Sequence, residues 1–296
     1  MANAADTLQR PRKVGSRADP SGVPKRHPVE YWIERLQSLH DGDQAVAEFT
    51  AYGETAIPPL RNLLFEREPS GIFEPRCRAV DALAALRAFD VLIEYLEGST
   101  EIADPVEAAG EEAVMNAAAR ALAADGSERV FQVLVSIARR RLLAGVIETL
   151  GSFRRPEATP CFVAGLAEDF ARPAAEACLR GLGRVAYAAL IETATVPVPS
   201  AEGESVSSLR RRRSALRLLN ETGLKALDRG KVRVLMRHHD PWIRVLACKM
   251  VLNGDAADRR EAMRRLLETS PNADVVLSNE IDACLHEHSG KSAGGR

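Results

Sequence analysis

Residues 171–194 read ARPAAEACLRGLGRVAYAALIETA, and this stretch decides the fold. Pro173 suits the first turn of a helix, where its missing N–H is not needed. Ala175, Cys178, Leu179 and Leu182 then recur at helical spacing and make one apolar face. Gly181 and Gly183 flank the last of them, and glycine there can take the left-handed conformation that closes a helix. A second apolar run follows, with Val185, Ala186, Ala189, Leu190 and Ile191. The spacing predicts a helix from Pro173 to Leu182, a Gly-containing turn and a second short helix. Helices of about ten residues are marginal alone in water, so packing on neighbours must hold them.

The same pattern recurs along the chain. Taking the last apolar residue of each first helix as an anchor gives Tyr52, Leu86, Leu122, Leu150, Leu182, Leu219 and Leu252, spaced by 34, 36, 28, 32, 37 and 33 residues. Four residues before the anchors stand Glu48, Ala82, Ala118, Val146, Cys178, Ala215 and Cys248. Three before stand Phe49, Leu83, Ala119, Ile147, Leu179, Leu216 and Lys249. The first column is mostly small and apolar, which lets adjacent helices approach closely. A period in this range indicates a solenoid. The fold class is therefore all-α, an α-solenoid of about seven helical hairpins in an armadillo-type superhelix.

At 296 residues the chain exceeds a typical single domain without a clean split, as a stack that grows by adding repeats does. Aromatic residues make up only 5%, so the core falls to Ala, Leu and Val. Residues 1–27, rich in Arg, Lys, Pro, Gly and Ser, are expected to be a disordered basic tail. The solenoid is expected over residues 28–288, and 289–296 read as a second tail. Pro28 opens the stretch VEYWIERLQSLH, an end cap that turns Tyr31, Trp32, Leu36 and Leu39 inward. Gly98 to Gly110 breaks the periodicity, and Asp104-Pro105 marks a restart within it. TVPVPSAEGESVSS, residues 195–208, reads as a flexible loop or hinge.

No apolar run approaches the length of a membrane-spanning helix, and no signal-peptide core is apparent at the N-terminus. Five cysteines without a CxxC pair argue against a disulfide framework or a zinc site, and Cys77, Cys178 and Cys248, in first helices, read as buried structural thiols. A cytoplasmic location is expected. No nucleophile elbow, zinc-protease motif, P-loop or dinucleotide fingerprint is present.

Asp240, Pro241, Arg244 and Ala247 resemble the opening of a HEAT repeat. The resemblance runs from about Gly42 to Thr269. The short periods are similar to the compact HEAT-like repeats of many bacterial proteins, among them the phycobilin lyase subunits. What it implies is a helical-hairpin stack whose surface holds a partner; a few members are enzymes or bind nucleic acid. His286-Glu287 resembles a single His-Glu pair of deoxyhypusine hydroxylase, a HEAT-like di-iron enzyme, but that family needs several such pairs. His238 and His239 are adjacent on the chain, where helical geometry points them about 100° apart, and Asp240 reads as a helix cap. No catalytic, cofactor-binding or metal-binding residue is assigned, and no cofactor is expected.

Charge is distributed unevenly. Residues 205–265 hold 16 basic and 6 acidic residues, residues 74–125 hold 4 and 11, and the whole chain carries a net charge of −1. The basic part supplies the candidate partner-binding residues Arg210, Arg211, Arg212, Arg213, Arg233, Arg237 and Trp242. Arg233 and Arg237, at i and i+4, share one helix face. The functional expectation is a non-enzymatic protein–protein interaction scaffold or adaptor whose partner is another protein, one with an acidic surface. The alternatives are a nucleic-acid-binding protein using the basic late repeats and an accessory subunit of a lyase-type enzyme.

Overall fold

All seven anchors lie within three residues of the C-terminal end of a helix. The computed structural model describes residues 27–66, 71–98, 102–200 and 203–289. A short helix, α1 (Val29–Arg35), precedes the hairpins. The first three hairpins pair α2 (Gly42–Phe49) with α3 (Ile57–Phe65), α4 (Glu74–Ala85) with α5 (Phe89–Glu97), and α6 (Pro105–Ala121) with α7 (Glu128–Arg140). The fourth and fifth pair α8 (Ala144–Ser152) with α9 (Thr159–Gly165) and α10 (Arg172–Leu182) with α11 (Tyr187–Thr195). The last two pair α12 (Val206–Thr222) with α13 (Arg229–Leu235) and α14 (Pro241–Val251) with α15 (Ala256–Thr269), and α16 (Val275–Ser289) closes the stack. Over the described residues the chain is an α-solenoid of seven hairpins flanked by α1 and α16.

The first helices of the hairpins form one layer and the second helices the other. First-layer neighbours such as α4 and α6, or α6 and α8, touch along their length, whereas second-layer neighbours meet more sparsely. Small residues make the close approach possible. A Cβ on Gly145 would collide with the backbone of Asn116, and one on Gly151 would strike the Cys178 sulfur. The side chain of Asn116 accepts the Gly145 N–H at 2.6 Å, so the same contact also binds α6 to the start of α8. Between the layers a continuous apolar core includes Leu83, Leu122, Leu150, Leu190, Leu219 and Leu246.

Local signals set the helix starts. Asp104 accepts from the backbone N–H of Val106 and Glu107 at 2.8 and 2.9 Å, and Asp240 accepts from Ile243 at 2.9 Å, each before a first-turn proline. The restart at Asp104 therefore opens a long helix, and Gly110 lies inside α6 rather than in a loop. Gly183 adopts φ 56° and turns the chain out of α10, as its position after Leu182 requires.

Several expectations are corrected. Leu39 is 85% exposed, because α1 ends at Arg35 and the chain turns away before reaching it. Leu182 is only half-buried and Val185 is exposed on a 3-10 turn, so Leu179 and Ala186 carry the burial. Residues 195–208 form no open loop where described: β1 (Pro199–Ser200) pairs antiparallel with β2 (Gly203–Glu204). Residues 1–26 and 290–296, where tails are expected, lie outside the described residues. Among those described, no helix is long and apolar enough to cross a membrane.

Candidate functional site

A buried polar cluster stands where the sixth hairpin begins. Ser205 caps α12, accepting from Ser208 N–H at 3.1 Å, and the β1–β2 hairpin sets Glu204 against the helix. The Ser208 hydroxyl donates to Glu204 at 2.7 Å. Arg212, 2% exposed, donates from Nε to the Ala194 carbonyl at 2.9 Å and from Nη1 to Glu204 Oε2 at 2.6 Å. Burial pushes the Glu204 carboxyl up, but the hydrogen bonds from Arg212 and Ser208 outweigh it and hold the group below its ordinary range.

His238 enters from the turn between α13 and α14. Its Nε2 lies 3.3 Å from Glu204 Oε2 and 3.1 Å from Arg212 Nη1. Its Nδ1 accepts the Asp240 N–H at 3.0 Å. That bond leaves the proton of the neutral ring on Nε2, facing Glu204. Burial, then the charges of Arg212 and His239, push the His238 pKa down and keep the ring neutral.

Glu204, His238 and His239 present ligand atoms within 4.8 Å of one another, close enough in principle for a metal ion. The surrounding bonds do not fit one. The Arg212 guanidinium already supplies the cation next to Glu204 and His238, and His238 Nε2 carries a proton where a metal needs a lone pair. The second hairpin repeats the design: Arg76 donates from Nε to the Leu64 carbonyl at 3.0 Å, pairs with Glu111 at 2.7 Å and reaches the Tyr95 hydroxyl at 2.9 Å. Arg212 and its partners thus join successive hairpins.

The sequence-selected arginines part company in space. Arg210 pairs with Asp169 at 3.1 Å, Arg212 is buried on Glu204, and Arg213 grips the Asp240 cap through two bonds. Arg211 is half-buried, its Nε without a hydrogen-bond partner among the described residues. Arg233 and Arg237 do stand together, reaching Asp258 at 3.2 Å and Glu261 at 3.8 Å on α15. Trp242 sits on first-layer α14 beneath the Arg217 guanidinium, 5.3 Å from its ring centre.

A second feature had no comparable signal in the sequence. Between second-layer helices α7 and α9 runs a groove of about 650 Å³. Its apolar lining includes Ala138, Leu143, Cys161 and Ala164. Arg139 and Arg140 reach it from the last turn of α7, and Phe170, 87% exposed, stands on its rim. No ion pair or hydrogen bond from either arginine side chain occurs among the described residues, whereas neighbouring Arg141 is paired with Glu112 at 3.7 Å. Glu157, bound to Arg155 at 3.6 Å, and Glu168 also line the groove. Burial pushes the Cys161 thiol up, so it rests as a neutral thiol and not as a nucleophilic thiolate.

The chain matches no known family profile and no curated protein in sequence. Among solved structures it is similar to human deoxyhypusine hydroxylase in complex with glycerol, with 16% identity over 88% of this chain and 96% of that one and a TM-score of 0.32. The architecture seen in the structure itself is a stack of helical hairpins. The non-enzymatic scaffold expected from the missing motifs is corrected by this neighbour, which is by name an enzyme. Absence of a motif in a helical-repeat chain does not establish a non-enzymatic role, and that assignment is withdrawn. A likeness of this strength equally transfers no reaction to this chain.

Proposed function

We propose that the protein binds a small organic anion with a flat apolar body in the groove between α7 and α9. The observation that carries this reading is the pair Arg139 and Arg140, which line the groove with no hydrogen-bond or ion-pair partner among the described residues, while most other described arginines are matched to carboxylates or carbonyls. Guanidinium groups recognise phosphate and carboxylate through paired N–H donors. The Phe170 ring offers a stacking face, Ala138 and Ala164 an apolar floor, and the volume lies in the range of small-molecule sites. Glu168 can accept from amino or hydroxyl groups of the same ligand. A nucleotide has this combination of anion, flat ring and donors. All five cysteines are free, which goes with the reducing cytoplasmic setting in which nucleotides abound.

The test is isothermal titration calorimetry of the full chain with AMP, adenosine and inorganic phosphate. The reading expects AMP to bind more tightly than either fragment, and Arg139→Ala with Arg140→Ala to weaken it by about tenfold or more, which is about 1.4 kcal/mol. Phe170→Ala should weaken AMP and leave phosphate alone. No heat from AMP at millimolar concentration, or equal affinity in the arginine variant, sinks the reading.

A further inference from the structure

Two oppositely charged surfaces occupy the same layer of this solenoid, four hairpins apart. On α5, Asp90, Glu94 and Glu97 fall at i, i+4 and i+7 and are all exposed, forming one acidic stripe. The side chains of Asp90 and Glu94 are 80% and 52% exposed even though Arg129 and Arg61 lie beside them. On the late second-layer helices, Arg233 and Arg237 of the α13 region and Arg260 and Arg264 of α15 are exposed at the same i, i+4 spacing. The segments carrying the two surfaces hold 4 basic against 11 acidic residues (74–125) and 16 against 6 (205–265).

Local ion pairs offset part of each surface, Asp90 with Arg129 and Glu94 with Arg61 on one, Arg233 with Asp258 and Arg237 and Arg264 with Glu261 on the other, but Glu97 and Arg260 are exposed and the two surfaces do not reach each other within one copy. Adjacent packed helices lie about 8–10 Å apart, so the four hairpins from α5 to α13 separate the surfaces by roughly 32–40 Å. Salt screens exposed charges beyond about 8 Å at physiological ionic strength. Each surface is therefore left uncompensated by the other. The basic surface also exposes Leu227, Val234 and Leu267, at 78%, 73% and 58%. Apolar side chains gain nothing from a phosphate backbone, so a protein surface suits this face better than nucleic acid. The chain's own ends are poor occupants: residues 1–27 hold six basic and two acidic residues, and SGKSAGGR is basic without acids.

We infer that the basic second-layer surface of α13 and α15 docks the acidic surface of α5 on a second copy of this chain. The two surfaces are opposite in charge sign and share the i, i+4 spacing along their helices. Because both lie on the same layer, the contact can be made twice, with each copy contributing both surfaces. Such a reciprocal pair closes at two copies. The groove between α7 and α9 lies between the two contact zones, and the pairing does not depend on what that groove binds.

The test is sedimentation velocity on the nuclease-treated full chain at low and high salt, with absorbance at 260 and 280 nm recorded. Arg233 is left intact because it holds buried Asp258; Arg237→Glu with Arg260→Glu reverses the basic surface at exposed positions. Asp90→Lys with Glu97→Lys reverses the acidic one. Circular dichroism confirms that each variant keeps its helices. The inference expects a salt-sensitive dimer in the native chain, monomers in each variant alone with affinity reduced by about tenfold or more, and a restored dimer when the two variants are mixed. A native chain that stays monomeric at low salt and high concentration overturns it. So does a dimer that both variants retain, or an assembly whose absorbance shows that nucleic acid holds it together.

Discussion

Arg76 and Arg212 perform the same task in the second and sixth hairpins. Each donates its Nε–H to the penultimate carbonyl of the preceding second-layer helix, Leu64 at 3.0 Å and Ala194 at 2.9 Å, and each is balanced by a buried carboxylate. The guanidinium satisfies a carbonyl that the end of a helix leaves without a partner. Side chains that sequence alone places in a basic cluster thus include a joint between repeats.

Replacing Arg212 by Met should therefore destabilise the chain strongly. It leaves the Glu204 carboxylate buried without its cation and the Ala194 carbonyl unpaired, a loss on the order of 3–5 kcal/mol. Replacing Glu204 by Met as well should recover a large part of that loss, since no charge then stays buried alone. Urea unfolding of the two variants measures the difference; equal stability of single and double variants would contradict the pairing.

Acid should weaken the same joint. His238 is held neutral, with its pKa below the ordinary value, so the unfolded chain takes up a proton before the folded one does. Stability is complete above the unfolded value of about 6.5 and falls as pH drops below it toward the folded value. Glu204 and Asp240, held below their ordinary range, add a second loss at lower pH as they protonate. His238→Gln should flatten the first part of the Tm profile and leave the second, as thermal melts between about pH 7 and pH 3 can show.

Glycines in helices should divide by what surrounds them. Gly145→Ala pushes a methyl into the Asn116 backbone and is expected to cost about 1–3 kcal/mol. Gly181→Ala, in α10 with open space around it, should stabilise by about 0.5–1 kcal/mol through helix propensity. Thermal unfolding of the pair decides whether close helix approach or propensity governs each site.

The apolar column of α10 makes a similar contrast. Leu179 is 1% exposed, and Leu179→Ala should cost about 2–5 kcal/mol. Leu182 is half-buried, so Leu182→Ala should cost clearly less. Equal losses in urea unfolding would show that burial does not rank these two positions.

What the sequence determined by itself is the repeat. Helical periodicity, first-turn prolines and caps such as Asp240 act within a few residues, and each hairpin packs mainly on its neighbours, so a local pattern is enough to give the stack. Local reading fell short where a short turn redirects the chain, as at Leu39 and Val185. What only the tertiary structure decided is which charges remain available. Arg213 meets Asp240 from 27 positions away and Arg180 meets Glu221 from 41, while the side chains of Arg139 and Arg140 make no hydrogen bond or ion pair among the described residues. Arginine is the same residue in all three cases. Whether its charge is consumed or offered depends on which carboxylate a neighbouring repeat brings within reach, and that distance is set by helix packing.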